Sequence, residues 1–220
     1  MTKKVTIVSF PGTNCDHDVE HVAANLFGCP VKTVWHRDLS LEQPDIVFLP
    51  GGFAYGDYLR TGALAALSPI MSAVKEFAAN GGTVIGICNG FQILCEAQIL
   101  PGALLPNSHG TFCSRWLTME VAGASVATKG LTPGTHISCP VAHGEGNYFA
   151  EEQVLNELQA NDQITFRYTS GDNPNGSARD IAGICNKARN VVGFMPHPER
   201  ACELLLGSDS GRQIFANLLG

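Results

Sequence analysis

The chain has no apolar stretch long enough to cross a bilayer, no C-x-x-C pair and no Gly-Lys-Ser/Thr phosphate loop, and each absence removes a class of function. A spanning helix needs about 20 consecutive apolar residues, so a helical membrane protein is excluded. Without paired cysteine spacing, zinc and thioredoxin-type sites lose their support, and no metal site is expected. Without a phosphate loop, any ATP chemistry must be supplied by another polypeptide. Charge is sparse as well: 15% of residues are charged against 45% hydrophobic, which supplies a core and argues against disorder. The formal net charge of −6 argues against nucleic acid or an anionic membrane as main partner. Met1-Thr2-Lys3-Lys4 leads straight into the short run Val5 to Phe10, which is too short for a signal-peptide core and has no small-residue cleavage site. A cytoplasmic protein is expected, and 220 residues fit a single domain, 1–220.

Eight cysteines are present, at 15, 29, 88, 95, 113, 139, 185 and 202. A chain of this size with its own core is not a disulfide scaffold, so most of them should be small buried hydrophobes. Local context must single out any reactive one.

The first half alternates strands and helices. Val5 to Phe10, Val31 to Trp35, Asp45 to Leu49 and Thr83 to Ile87 read as strands. Asn14 to Phe27 and Ala63 to Ala79 have helical spacing, the second closed by Asn80-Gly81-Gly82, and Phe91 to Ala97 opens another helix. Strands apolar on both faces imply a mostly parallel open sheet with helices on both sides. In the second half, Phe112 to Val121, Thr135 to Ala142, Ile164 to Tyr168, Ile181 to Asn186 and Val191 to Met195 read as strands. Helices are few there, Glu151 to Asn161 and Ser210 to Leu219, so an antiparallel extension is expected.

Chemistry concentrates at three strand ends. Gly86-Ile87-Cys88-Asn89-Gly90-Phe91-Gln92 follows a strand and opens a helix, the cysteine form of a nucleophile elbow. Its glycines let strand and helix cross tightly, the turn exposes the sulfur at the sheet's carboxyl edge, and the helix N-terminus favours the reactive thiolate. Taken alone, the same pattern fits a buried cysteine between strand and helix. Met195-Pro196-His197-Pro198-Glu199 follows the last strand. Each proline biases its predecessor towards an extended backbone, in which His197 and Glu199 share a face, as a general base and the carboxylate orienting it would. Pro50-Gly51-Gly52-Phe53 ends a third strand, where glycines let backbone approach a ligand. Attack on an amide needs N–H donors for the oxyanion, and the residue after the nucleophile, Asn89, is one source.

Taken together and in this order, the three motifs resemble the class I, or triad, glutamine amidotransferases over nearly the whole chain. Phe10 to Asp16, Phe53 to Arg60, Ala142 to Gly146 and Asn173 to Ser177 are similar to the family of small glutaminase subunits of phosphoribosylformylglycinamidine synthase. The resemblance implies a flavodoxin-like sheet with Cys88 as nucleophile, His197 as base and Glu199 as its orienter. It implies Gly52 and Asn89 at the oxyanion, Gln92 lining the glutamine pocket, and Asn107 to Phe112 near the amino-acid end of the substrate. It also implies a partner. Ammonia released into water becomes ammonium, so it should pass directly to an ATP- and Mg-using synthetase subunit, with a small accessory subunit, that makes formylglycinamidine ribonucleotide. No cofactor is expected in this chain.

Two other readings stay open: a cysteine peptidase or γ-glutamyl hydrolase of the same architecture, and a non-catalytic regulatory module. Smaller features are ambiguous too. The segment around Asp57 and Arg60 is a docking region or a solvated loop. His17 and His21, four apart among Asp16, Asp18 and Glu20, suggest a solvated helix face over a metal site. His143 and Glu145 suggest a structural or subunit-facing loop over a second acid–base pair.

Overall fold

The computed structural model describes residues 2–220; Met1, part of the N-terminal segment read above, lies outside them. Eleven strands form in chain order among the described residues: β1 Val5–Ser9, β2 Val31–Trp35, β3 Ile46–Leu49, β4 Thr83–Ile87, β5 Ala103–Leu105, β6 Cys113–Val121, β7 His136–His143, β8 Asn147–Phe149, β9 Ile164–Tyr168, β10 Ile181–Cys185 and β11 Val191–Phe194. The helices are α1 Asp16–Glu20, α2 Ala63–Ala66, α3 Ile70–Ala79, α4 Asn89–Glu96, α5 Glu152–Ala160 and α6 Arg212–Leu219.

Nine strands make one sheet in the order β2-β1-β3-β4-β11-β10-β9-β6-β7. The first five run parallel and the other four extend the sheet antiparallel. The expected architecture is therefore present: a flavodoxin-like parallel half with an antiparallel extension. Two short strands that the sequence pattern did not suggest, β5 and β8, pair separately.

Both faces of the parallel half are covered, and side-chain alternation shows how. Gly86 on β4 pairs in register with Gly193 on β11, and both lie under α4. A Cβ at Gly86 would stand 2.6 Å from Leu94 Cδ1, and one at Gly193 would strike the Phe91 ring. Phe48 pairs with Ile85, one residue out of phase, so it points to the other face. There it stacks on Phe215 of α6, with ring centroids 5.8 Å apart. Phe48 and Phe215 are both buried; each such burial contributes roughly 1.5–3 kcal/mol.

Three helices differ from expectation. The stretch Ala63–Ala79 is two helices, α2 and α3, broken at Leu67-Ser68-Pro69. Pro69 has no N–H to give the helical ladder, and its ring crowds the preceding turn. The helix predicted from Asn14 starts at Asp16 and widens to a π-helical turn over His21–Leu26. The helix expected to open at Phe91 instead starts at Asn89, with Cys88 as its cap.

β3, β4 and β11 are adjacent and parallel, so their carboxyl ends share one edge. Cys88 N–H donates to Phe194 O at 2.8 Å and ties two of those ends together. Gly51, Cys88 and His197 all follow within three residues of a strand end, which is how segments remote in sequence meet.

Candidate active site

Cys88 holds φ 51° and ψ −105°, a left-handed backbone that a non-glycine residue adopts only where its surroundings enforce it. The enforcement is packing. A Cβ at Gly90 would collide with the Leu49 carbonyl, so α4 starts in contact with the end of β3 and the chain must turn sharply at Cys88. Cys88 lines a cleft of about 240 Å³ together with Gly52, Asp57, Thr61, Gln92, His143 and Glu145 among others. Phe53 and Phe112, ring centroids 6.4 Å apart, also line it and are half-exposed. A larger cleft, about 880 Å³, runs between Arg60, Pro101, Val154 and Lys187. None of the sequence-predicted catalytic groups lines that one, so its size carries no functional weight.

His197 and Glu199 meet, though not through the extended backbone expected. Pro198–Arg200 forms a 3₁₀ turn. The turn still directs Glu199 Oε1 to His197 Nδ1 at 2.6 Å, with both side chains buried. Burial pushes the imidazole pKa down, but the Glu199 carboxylate and then the Cys88 sulfur outweigh it and hold the ring well above the ordinary histidine range. The Cys88 sulfur lies beside the ring, yet His197 Nε2 makes no well-formed hydrogen bond and Glu199 Oε2 has no partner. Two buried polar atoms without a protein partner in one cluster mark a functional site rather than a finished core.

Gly52 has φ 154° and sits against Gly12 and Thr13, where a Cβ would come within 2.7 Å of the Gly12 carbonyl. Thr13 and Gly52 form an antiparallel bridge whose bonds, Phe53 N–H to Gly12 O and Asn14 N–H to Gly51 O, leave the Gly52 N–H unused. Among the described residues neither the Gly52 nor the Asn89 N–H donates to another protein group. Gly52 lines the same cleft as Cys88, and Asn89 is the residue after it, so two free donors lie on the segments next to the nucleophile candidate. The Asn89 side chain has a different task. Its Oδ1 accepts from Ala54 N–H at 3.2 Å and its Nδ2 donates to Gln92 Oε1 at 2.9 Å. Gln92 Nε2 donates in turn to Glu145 O at 2.6 Å. Gln92 therefore lines the cleft as expected, but as a brace between α4 and the β7–β8 turn.

Several other expectations resolve. His143 is no second acid–base centre: its Nδ1 meets Asn107 Oδ1 at 3.1 Å and its Nε2 meets Asn175 Nδ2 at 3.5 Å. Burial pushes its pKa down to about 4, so it is neutral near pH 7 and holds the loops together. In the segment Asn107 to Phe112, Asn107 Oδ1 meets His143 Nδ1 and accepts from Gly146 N–H, while Phe112 lines the cleft. His17 pairs with Glu20 and His21 with Glu203 on exposed surface, and the two rings do not converge on a shared ligand. Arg60 is committed to Glu96 at 2.8 Å, whereas Asp57 turns into the cleft.

One neighbour of the imidazole was not singled out from sequence. Cys15 places its sulfur with His197 and Glu199 in a cluster whose donor atoms all lie within 4.8 Å of one another. Its Sγ accepts from Arg200 Nη2 at 3.0 Å, and burial raises its pKa. The only sequence signal was its place in the Phe10 to Asp16 motif.

Comparisons with known proteins identify the family. A model of the CobB/CobQ-like glutamine amidotransferase domain matches residues 2–213. The chain is 50% identical to phosphoribosylformylglycinamidine synthase subunit PurQ of Salinibacter ruber, across 100% of this chain and 97% of that one. It is 52% identical to the subunit of the same name from Helicobacter hepaticus, across 98% and 96%. In the solved structure of PurLQS from Thermotoga maritima, one chain is 38% identical and superposes with a TM-score of 0.90, covering 99% of this chain and 98% of that one. The chain belongs to the CobB/CobQ-like glutamine amidotransferase family and, within it, to the family of phosphoribosylformylglycinamidine synthase subunit PurQ.

Proposed function

We propose that the chain is a glutaminase, working as one domain, which hydrolyses glutamine through a Cys88 thioester and hands the ammonia to an ATP-dependent partner. One observation carries the reading: a sulfur held at a left-handed corner beside a buried imidazole–carboxylate pair, with unused N–H donors on Gly52 and Asn89.

The Cys88 thiolate attacks the side-chain carbonyl carbon of glutamine. The resulting oxyanion faces the Gly52 and Asn89 N–H groups, preorganised donors of the kind that typically supply about 2.7–4 kcal/mol each to the barrier. The His197 imidazolium gives its Nε2 proton to the departing nitrogen, the C–N bond breaks, and ammonia leaves a γ-glutamyl thioester. Nε2 then takes a proton from water, the hydroxide adds to the thioester, and the C–S bond breaks to give glutamate and the thiolate. Glu199 keeps Nδ1 protonated throughout and supports the imidazolium.

The relatives' names, a phosphoribosylformylglycinamidine synthase subunit and the PurLQS assembly, support partner subunits. We take these to be an ATP- and Mg-using synthetase subunit that makes formylglycinamidine ribonucleotide and a small accessory subunit, in the cytoplasm. No cofactor is required of this chain itself. The cleft also weighs against the peptidase alternative. At about 240 Å³ it is smaller than the roughly 300–1,000 Å³ of sites for drug-sized ligands, and it suits a single amino acid.

The test replaces Cys88 by Ala in the complex reassembled with its synthetase partner. Glutamine-dependent amidation should vanish while amidation from added ammonium salts survives. Loss of both, or survival of both, refutes the assignment.

A further inference from the structure

Two carboxylates, Asp57 and Glu145, line the same cleft as Cys88, and among the described residues no lysine or arginine lines it. Glu145 has only the Thr61 hydroxyl, which donates to its Oε2. Asp57 has less: among the described residues its carboxylate accepts no hydrogen bond, and its Oδ1 is shut off from solvent with no partner. Burial, and then the charge of Glu145, push the Asp57 pKa up to about 6. Arg60 feels the charge of Glu145 but is bonded to Glu96; two like charges in one confined site raise a carboxylate's pKa in this way. The cluster does not stand alone. The Gly52 and Asn89 N–H groups and the buried Nε2 of His197 are all unfilled at the Cys88 end.

We propose that Asp57 and Glu145 form the subsite for the α-ammonium group of the substrate, which makes the cleft specific for a free amino acid bearing a terminal carboxamide. This deepens the glutaminase reading and rests on it. The chemistry is complementary. An ammonium brings three donors and a positive charge, enough for Asp57 Oδ1 and for an oxygen of Glu145. Charge-assisted bonds of this kind are about twice as strong as neutral ones. Both residues line the cleft that Cys88 lines. Four bonds separate the reacting carbon of glutamine from its α-nitrogen, a span of about 5 Å extended. Gln92, one turn along α4 from Cys88, bonds to the Glu145 backbone and fixes that residue relative to the sulfur. Glutamine within a protein carries an amide where free glutamine carries an ammonium. It would leave two carboxylates unneutralised in the cleft, so the same pair rejects protein-bound glutamine.

The experiment compares glutamine with 4-carbamoylbutanoate, its analogue lacking the amino group, in the assembled complex, following ammonia release. The wild type should prefer glutamine by at least about a hundredfold in kcat/KM, the scale for a buried polar group left unpaired. Asp57→Asn should raise KM for glutamine at least tenfold and narrow that preference, and Glu145→Gln should do so in the same direction. Alkylation of Cys88 by iodoacetamide, which carries no amino group, should proceed at the wild-type rate in both variants and report an intact site. Equal use of both substrates by the wild type, or undiminished preference in both variants, overturns the subsite. Absence of ammonia release from glutamine by the wild-type complex would overturn the glutaminase reading itself, a separate outcome.

Discussion

His197 Nδ1 stands 2.6 Å from Glu199 Oε1, and the two side chains are only 2% and 0% exposed. In so dry a setting the carboxylate does more than orient the ring: it opposes the desolvation that would otherwise strip the imidazole of its proton. Glu199→Gln keeps the shape and removes the charge. The imidazole pKa should then fall, so the proton needed by the departing nitrogen is lost at lower pH. The basic limb of the kcat/KM profile should move down, and kcat for ammonia release should drop by about 10²–10⁴, the range for general acid–base catalysis. Steady-state kinetics across pH 6–9 read both, and a profile unmoved within twofold at every pH would show that the carboxylate is not coupled to the base.

Gly51 is a packing hinge of the site. A Cβ there would stand 2.7 Å from His197 Cε1 and 2.9 Å from the Cys15 sulfur. Its backbone is not left-handed, so a Gly51→Ala change tests crowding without added strain. The ring must give way, because the alternative is to push a buried thiol. The expected result is a loss of about 1–3 kcal/mol in unfolding free energy, the usual cost of overpacking. The fall in kcat should be at least tenfold, since misplacement on the ångström scale is enough to uncouple reacting groups. Urea titration and glutaminase assays measure the two separately, and a well-folded variant with full activity would mean that the ring position tolerates drift.

What could be read from the chain depended on whether a signal is local. Strands such as Val31–Trp35 and Thr83–Ile87 carry it in their own residues, and their limits match. Cys88, set between Gly86 and Gly90 after a strand, and His197, just before Pro198-Glu199, likewise declare themselves through chain geometry. The break at Pro69 was legible in principle, because a proline inside a helical pattern is a stop signal, yet helical spacing around it masked it. The pairing of β5 with β8 left no trace, because three-residue strands have no period to detect. Asp57 and Cys15 illustrate the harder limit. Each owes its surroundings to segments far away in sequence: Glu145 for one, His197 and Arg200 for the other. Nothing in their own neighbours predicts a half-buried carboxylate or a buried thiol at those places.

His143 should make the fold acid-sensitive. Its folded pKa is pushed down to about 4, chiefly by burial and next by the charge of His197, whereas an unfolded histidine titrates near 6.5. Between those values the unfolded chain binds a proton that the folded chain refuses, so stability rises with pH across the window. The contribution is complete above about pH 6.5 and is lost as pH falls through about 4. Asp57 works in the opposite sense. Its folded pKa is raised to about 6, so the stability it lends is present at low pH and lost as pH climbs through that value. The two partly cancel in the wild type, and the His143 component must be isolated by difference. His143→Gln keeps a donor and an acceptor for Asn107 and Asn175 but does not titrate. Its unfolding free energy should therefore decline less between pH 7.5 and pH 4.5 than that of the wild type. The gap is capped at roughly 3 kcal/mol, since each tenfold weakening of proton binding by the folded chain is worth about 1.4 kcal/mol. Urea midpoints at the two pH values give the comparison. Identical declines in the two proteins would show that the buried ring takes up its proton as readily in the fold as in the open chain.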